Sequence, residues 1–530
     1  MTLSRIVGSC LGPTRSLHLD HARTLNVLLA NILLSPGPLY RMADWAAPYE
    51  PQALGLLPSE MHTLNDDRVA RTLDALASQR GRSLFFRLAL HLIKDFDLDT
   101  SHIHQDTTSV TFFGAYENQS RPPFITQGHN KDGRPDLKQL VFGVSVTADG
   151  AVPLVHEVHS GNRADDTIHT GNLARLREVL GTSPFVYVAD SKLCTAKNLA
   201  DIAFHHGQFV TILPRTWKED QEQRSLLEAG PVRWRKLCTR PNTRSKSAPP
   251  VVYSTTAAGS QRTSQGYRLV WIRSSQKAEK DGAVRVHRIE QAEEKLVALS
   301  ARLNKRALKR PGAIRKAVRA VLETYECEAL LKVAIRFENR VRYHRTRRGR
   351  PRANDPKVEE HYRVYRIEVT RDEAAAEKKA RTDGVFALVT NLPQSKGPKR
   401  EILEIYKYQP YVERRHALLK SELEVARVYL KKASRVVGMV HAHFLAMVVE
   451  ALIERTIRMS MQRQGIDSLP ILPEGRSTKT PTTPRVLEMF SGVCWYEFER
   501  GNETVAFPVK LTSLQKKLLR LLGMDKAAYE

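Results

Sequence analysis

Cysteine is scarce in this chain. Five stand far apart among 530 residues (Cys10, Cys194, Cys238, Cys327, Cys494), and none forms a C-x-x-C pair. Neither a disulfide framework nor a zinc ribbon is indicated, and a reducing cytoplasm is the expected setting. Long apolar runs are missing too. The longest, residues 25–34 and 444–453, fall well short of the roughly 20 residues that a membrane-spanning helix needs, and Asn31 and Glu450 interrupt them. The first run resembles a signal-peptide core, but Ser35, Pro36, Gly37 and Pro38 after it carry no small-x-small cleavage pattern. Acidic residues are also in deficit. Lys and Arg total 83 against 57 Asp and Glu, a formal net charge of +26. Such an excess repels itself unless a polyanion neutralises it, with nucleic acid the commonest partner and an anionic membrane second. The absence of a spanning segment argues against the membrane. No internal repeat or long low-complexity tract is present.

The 42% hydrophobic content suffices for ordinary cores, and the length suggests several domains. Residues 24–34 and 67–77 carry apolar positions at helical spacing, and Asn65-Asp66-Asp67 can cap the second. Residues 45–58, with Pro48, Pro51 and Pro58, read as a loop. The period then changes. Residues 102–111, 139–147 and 152–158 are short, rich in β-branched residues and bounded by turn formers, with Asp149-Gly150 as a hairpin signal. A helix (166–180), a buried strand (185–189), a helix (195–205) and a strand (209–213) follow. Three antiparallel strands and then alternating helices and strands make a mixed sheet covered by helices, the order of a ribonuclease-H-like core.

After Pro214 the pattern degrades. Strands are suggested near Trp234 and over 251–256, 267–273 and 362–370, and charged helices over 280–308 and 314–332. The most basic stretch, residues 340–352, lies between them. Residues 385–390 return to an apolar strand. Helices over 399–406, 411–430 and 438–462, a Pro/Thr-rich linker (470–484) and an amphipathic helix (511–522) complete the chain.

Three acids sit where a sheet-based nuclease needs them. Asp106 lies mid-strand in HIHQDTTSV, Asp190 ends FVYVAD, and Glu413 lies in the first turn of PYVERRHALLKSEL. Open sheets place ligands at carboxyl edges of this kind. Phosphodiester cleavage at neutral pH needs a nucleophilic hydroxide and a stabilised leaving oxygen. Two divalent ions about 3.5–4 Å apart supply both, and clustered carboxylates hold them. Hard oxygen donors favour Mg²⁺, with Mn²⁺ able to substitute. Singly, Asp190 also reads as a turn residue and Glu413 as a helix-dipole partner. A mid-strand Asp flanked by apolar positions costs free energy unless it is paired or binds metal.

These stretches resemble the DDE transposases of bacterial insertion sequences, and most closely the group with a β-rich insertion before the catalytic glutamate and a Y-x2-R-x3-E-x6-K signature. The likeness is carried by Asp106-Thr107-Thr108, by GHNKDGRPDLKQLVFGVSVTADGAVPLVHEVHSGN (128–162), by VADSKLCTAKNLA (188–200), by DGVFALVTN (383–391) and by LNDDRVARTLDAL (64–76). In the signature Tyr406, Glu413 and Lys420 match, while Gln409 stands where arginine is expected. The resemblance implies that Asp106, Asp190 and Glu413 are catalytic and hold two Mg²⁺. It also implies that Tyr406, Gln409 and Lys420 contact DNA-end phosphates, with Arg414 or Arg415 supplying the charge that Gln409 lacks. Pro410 suits the first helical position, which leaves the direction of Tyr406 open.

The fold expected is therefore α/β: an RNase-H-like catalytic core interrupted by a mixed β/α insertion, with a helical N-terminal domain and a helical C-terminal region. The expected divisions are a helical DNA-binding region (1–97), a first core segment (98–214), the insertion (215–384), a second core segment (385–465) and a C-terminal tail with a dimerisation role (466–530). The expected activity is metal-dependent 3′-end cleavage and strand transfer on double-stranded DNA, at terminal inverted repeats and at target sites. A homodimer pairs the two ends, and no membrane is involved. The alternatives are a catalytically silent DNA-binding protein or repressor on the same fold, and a structural nuclease that hydrolyses without joining.

Several residues invite other readings. His102, His104 and Asp106 alternate on one strand face, as in a metal site, but no fourth ligand is evident. His441 and His443 lie on a helix with no partner and read as structural. Arg348, Arg350 and Arg352, in Arg-Gly-Arg-Pro-Arg, suit either a narrow A·T minor groove or non-specific phosphate contact. Trp217, Trp234 and Trp271 suit either core packing or stacking on an unpaired base.

Overall fold

The computed structural model describes residues 2–12, 19–117, 119–181, 184–242, 248–345, 357–423, 425, 430–494, 496–500, 503–507 and 509–524. The chain is mixed α/β and divides into two compact units. Unit 1 comprises Met1–Thr211, Thr390–Gly397 and Glu401–Glu530, and unit 2 comprises Ile212–Val389 and Pro398–Arg400.

Unit 1 opens with four long helices, Thr2–Leu11, His21–Leu34, Asp66–Leu76 and Gln79–Asp95. Side-chain caps set their starts. Asp20 accepts a hydrogen bond from Arg23 N (2.8 Å), which begins the second helix three residues earlier than its apolar spacing suggests. Asn65 accepts from Arg68 N (2.9 Å) and caps the third, as expected. The proline-rich stretch 45–58 is more ordered than a loop. It holds the end of a short helix, Met42–Ala46, then a 3₁₀ turn, Pro51–Leu54, and the start of another, Pro58–Thr63. Proline at the first positions of these turns forfeits only an N–H that has no internal partner there.

Five strands follow: β1 (His102–Phe112), β2 (Lys138–Thr147), β3 (Pro153–Ser160), β4 (Val186–Val188) and β5 (Gln208–Ile212). They lie in the order β3-β2-β1-β4-β5. β1, β2 and β3 pair antiparallel, while β4 runs parallel to both β1 and β5. The parallel connections run through helices, His169–Leu180 before β4 and Ala196–Phe204 between β4 and β5. β4 is wholly buried, which explains its unbroken apolar sequence.

The helix Ala433–Arg463 is long and apolar enough to cross a membrane, but 78% of its most apolar window is buried within the protein. It packs on Asp66–Leu76, His21–Leu34 and β3. Gly438 permits the first contact, because a Cβ there would lie 2.1 Å from Leu73 O. Some of the 466–530 segment folds onto the same helix. Leu469, Ile471, Val486, Leu518 and Leu521 form one apolar cluster with Ile457 and Met461.

Unit 2 contains β6 (Arg235–Arg240), β7 (Val251–Thr255) and β8 (Arg268–Ser274), in the order β11-β8-β7-β6 with β11 (Val385–Thr390). It also contains a separate two-stranded ribbon, β9 (Leu331–Arg345) with β10 (Lys357–Arg371). The helices Ser275–Ser300 and Pro311–Thr324 share a core with the base of this ribbon, through Ile289, Leu296, Ile314, Leu331 and Tyr365. Two expectations fail here. The helix predicted over 314–332 stops at Thr324, and β9 occupies sequence where no strand was expected.

Candidate active site

Unit 1 gathers the three acids from distant sequence. β1 and β4 are parallel neighbours, with His104 beside Val188. Asp106 lies two residues beyond that pair on β1, and Asp190 two residues beyond it in the turn after β4. The helix Pro410–Ser421 packs on β1 and β2 and carries Glu413 in its first turn.

The electrostatics agree with this placement. Burial raises the Asp106 carboxyl above its ordinary range, and Asp165 adds to the rise, while Lys131 and the Thr107 amide oppose it. Asp190 is raised by burial and then by Asp106 and Asp165, against the Lys192 amide and Lys131. Glu413 is raised by desolvation and then by Asp106 and Asp190. Asp190 thus feels the charge of Asp106, and Glu413 feels the charges of both. Asp106 accepts a hydrogen bond from Thr107 N (2.8 Å) and Asp190 accepts one from Lys192 N (2.9 Å). Thr211 Oγ1 donates to Asp190 O (2.6 Å), fixing the turn after β4. The donors are the hard oxygens that suit Mg²⁺ or Mn²⁺. Among the described residues, however, no group of three or more His, Cys, Asp or Glu is arranged to hold a metal ion.

The signature residues divide. The half-buried Tyr406 hydroxyl is held well above its ordinary pKa by burial and then by Asp190, Glu413 and Asp106, so the side chain borders the acids. Gln409 does not. It is buried, donating from Nε2 to Gln105 O (2.8 Å), with its Oε1 3.3 Å from His104 Nδ1, and both ends of its amide therefore serve β1. Lys420 Nζ donates to both Asp132 oxygens (2.7 Å each). Arg414 is exposed, but Arg415 points inward. It donates to Ala151 O (3.0 Å) and Gly150 O (2.9 Å) and pairs with Glu454 (3.1 Å). Of the two arginines offered in place of the missing charge, only Arg414 lies on the exposed face. Val412, Arg415, His416, Leu418 and Leu419 form the buried face.

Three residues were not read as site residues in the sequence. Lys131, from the β1–β2 connection, donates to Thr107 O and Thr107 Oγ1 (2.7 Å each) and pairs with Asp165 (3.2 Å). Thr107 Oγ1 in turn donates to Asp165 (2.9 Å). His416 is buried with Nε2 3.8 Å from Asp106 Oδ2, and burial followed by the charges of Lys131 and Lys420 pushes its pKa down to about 3. It is therefore neutral. The only signal for it was its place one turn after Glu413. Lys131 lies inside the 128–162 stretch, where nothing in the local sequence points to chemistry.

The remaining candidates resolve as follows. His102 bonds to Ser101 Oγ (2.8 Å) and His104 to Gln409, so the strand-face histidines are engaged locally. His441 and His443 do have partners. His441 Nδ1 lies 2.6 Å from His156 Nε2, and His443 contacts Met439 O and Leu423 O (2.8 and 2.9 Å). Trp271 is fully buried and donates to Ser260 O (2.7 Å), a core role, while Trp217 and Trp234 are half-buried. Arg348, Arg350 and Arg352 lie outside the described residues.

No protein-family model and no curated protein matches the chain. Among solved structures, the chain is similar to a piggyBac transposase synaptic complex with hairpin DNA, at 9% sequence identity and a TM-score of 0.26, over 84% of this chain and 76% of that one.

Proposed function

We propose that this chain is a DDE transposase of an insertion sequence, acting in the cytoplasm on double-stranded DNA as a homodimer that pairs two element ends. The observation that carries the reading is the approach of Asp106, Asp190 and Glu413, brought from one strand, the end of another and a distant helix, so that Asp106 raises Asp190 and both raise Glu413. Like charges held close and partly desolvated are costly to keep together unless a cation offsets them. The order β3-β2-β1-β4-β5, with β4 and β5 parallel to β1, supports an RNase-H-like core, and the motifs around each acid support the family.

Two Mg²⁺ ions, or Mn²⁺, held by the three acids would lower the pKa of the attacking water and neutralise charge on the leaving oxygen. The carboxyl groups must first converge, since they are not arranged for ligation as they stand. Tyr406 presents a protonated hydroxyl beside the acids, suited to hold a phosphate oxygen. Arg414 and Lys420 place positive charge on the same helix for the flanking phosphates. Lys131 partly neutralises Asp106 and Asp190 while the site is free. Hydrolysis exposes a 3′-hydroxyl, which then attacks a target phosphodiester. One phosphoester bond breaks as another forms, so no external energy source is needed.

Among the described residues the acids form no ready metal cluster, which favours one second reading, a catalytically silent DNA-binding protein on the same fold. A nicking assay on terminal-repeat duplex with Mg²⁺ separates the two. The transposase reading expects cleavage by wild type and none by Asp106→Ala, Asp190→Ala or Glu413→Ala. Equal, background-level cleavage by all four leaves only the binder. Joining of a precut 3′ end to a second duplex then distinguishes a transposase from a plain nuclease.

A further inference from the structure

The ribbon β9–β10 pairs without a break from Leu331↔Arg371 to Arg345↔Lys357. Its base is anchored in the core of unit 2 by Leu331 and Tyr365, with Val333, Ile335, Ile367 and Val369 packed against them. Beyond Phe337 and Tyr365 the pattern changes. From 339 to 344 on one strand and 357 to 363 on the other, every residue is exposed except the half-buried Glu360. That outer portion is about 20 Å long at the usual strand rise. A hairpin with both faces in water is marginal by itself, so this one is built to meet something.

Its chemistry restricts the partner. The two strands carry nine Lys and Arg against four Glu. Directly opposed residues share a face, so Arg340↔Tyr362 and Arg342↔Glu360 lie on one side and Asn339↔Arg363 and Tyr343↔Glu359 on the other. Arginine therefore stands on both sides. The guanidinium of Arg342 lies over the Tyr362 ring (5.7 Å) and that of Arg363 over Phe337 (4.6 Å). These contacts limit the rotamer freedom that binding would otherwise remove. A flat anionic membrane would meet one side only. A DNA groove has a phosphate wall on each side, and the major groove is wide enough for a two-stranded ribbon.

We infer that the outer portion of the β9–β10 ribbon is a DNA-docking element that enters the major groove of duplex DNA. The inference rests on the DNA-binding aspect of the proposed function and deepens it, by assigning much of the electrostatic affinity to one projecting ribbon. Arginines along it meet backbone phosphates, with Tyr343 and Tyr362 between them.

The test measures affinity of the full chain for a fluorescent random-sequence duplex across a salt series, by anisotropy. The ribbon variant combines Arg340→Gln, Arg342→Gln and Arg363→Gln. A matched variant removes the same charge from the exposed face of the Pro311–Thr324 helix with Arg315→Gln, Lys316→Gln and Arg319→Gln. The slope of log affinity on log salt should fall by about 2–3 in the ribbon variant, near 0.9 per lost phosphate contact, and by much less in the control. A photocrosslinker on Tyr343→Cys should label the duplex, and the same probe on exposed Val297→Cys should not. This second readout stands even if the triple variant folds poorly. Equal slope losses, or labelling from Val297→Cys alone, overturn the ribbon assignment and leave the DNA reading intact. Wild type that binds DNA with no salt dependence ends both. Loss of self-association or of anionic-vesicle binding in the ribbon variant, with DNA affinity unchanged, assigns the ribbon to another partner and overturns the inference.

Discussion

Lys420 Nζ lies 2.7 Å from each carboxylate oxygen of Asp132, tying the Glu413 helix to the β1–β2 connection that also delivers Lys131. Asp132 therefore occupies the cation that the signature assigns to a DNA-end phosphate. Both partners are partly exposed (26% and 41%), so the pair adds little stability by itself. On the proposed function its effect falls instead on DNA binding, because a phosphate reaching Lys420 would have to displace Asp132. Asp132→Asn should raise affinity for duplex DNA severalfold at low salt when Lys420 is present, and should do little in a Lys420→Gln background. A double-mutant cycle read by anisotropy checks this. An equal gain in both backgrounds would reduce the effect to net charge.

The acid cluster makes a second prediction. A carboxyl whose folded pKa is raised contributes stability at low pH and loses it as pH rises through the folded value. Asp106, Asp190 and Glu413 are all raised, so at neutral pH their charges weaken the metal-free fold. Asp106→Asn should raise the metal-free melting temperature by a few degrees. Wild type should gain stability on adding Mg²⁺, the variant should gain much less, and chelation should reverse the wild-type gain. Scanning calorimetry with and without metal reads both effects. A lower metal-free melting temperature for Asp106→Asn would contradict the repulsion argument.

Glu450, on the long helix, gives a pH signature away from the site. Burial pushes its carboxyl from 4.5 up to about 8, with Arg415 opposing and Glu422 and Glu454 assisting. The folded protein then holds a proton that the unfolded chain has released. Stability falls as pH rises from near 4.5 towards 8, and the loss levels off above that. Glu450→Gln should flatten the decline in melting temperature between pH 5 and pH 8. Parallel melting series for the two proteins provide the measurement, and coincident slopes would refute the assignment.

Gly438 supports a steric prediction. Its missing Cβ lets Ala433–Arg463 touch Asp66–Leu76 at Leu73 O. Gly438→Ala forces the helices apart and should cost about 1–3 kcal/mol, as overpacked cores do. Urea denaturation with unchanged m-value would register it. A neutral result would mean that the helices separate freely.

What was legible in the sequence follows from where burial imposes a pattern. β1, β2 and β3 alternate or run apolar between strong turn formers, and β4 is a continuous apolar run because both its faces are covered. Asp106 stood out because it interrupts such a strand. β9 was missed because its apolar alternation, Leu331, Val333, Ile335 and Phe337, follows directly on a helical pattern, and the residues beyond it are exposed on both faces. Lys131, Asp165 and His416 gain their significance only from tertiary placement, since nothing local in HNKDG or ERRH announces proximity to Asp106. Gln409 and Arg415 were assigned outward roles by motif position, whereas the packing of their helix on β1 and β2 turns both inward.

Unit 2 lies in the chain between β5 and the helix that carries Glu413, so more than two hundred residues separate the second acid from the third. At a synthesis rate of about 5–20 residues per second, tens of seconds pass on the ribosome between the emergence of Asp190 and that of Glu413. The nascent chain lacks its third acid throughout that interval. Any message broken within the intervening stretch yields a protein with two of its acids and never the third.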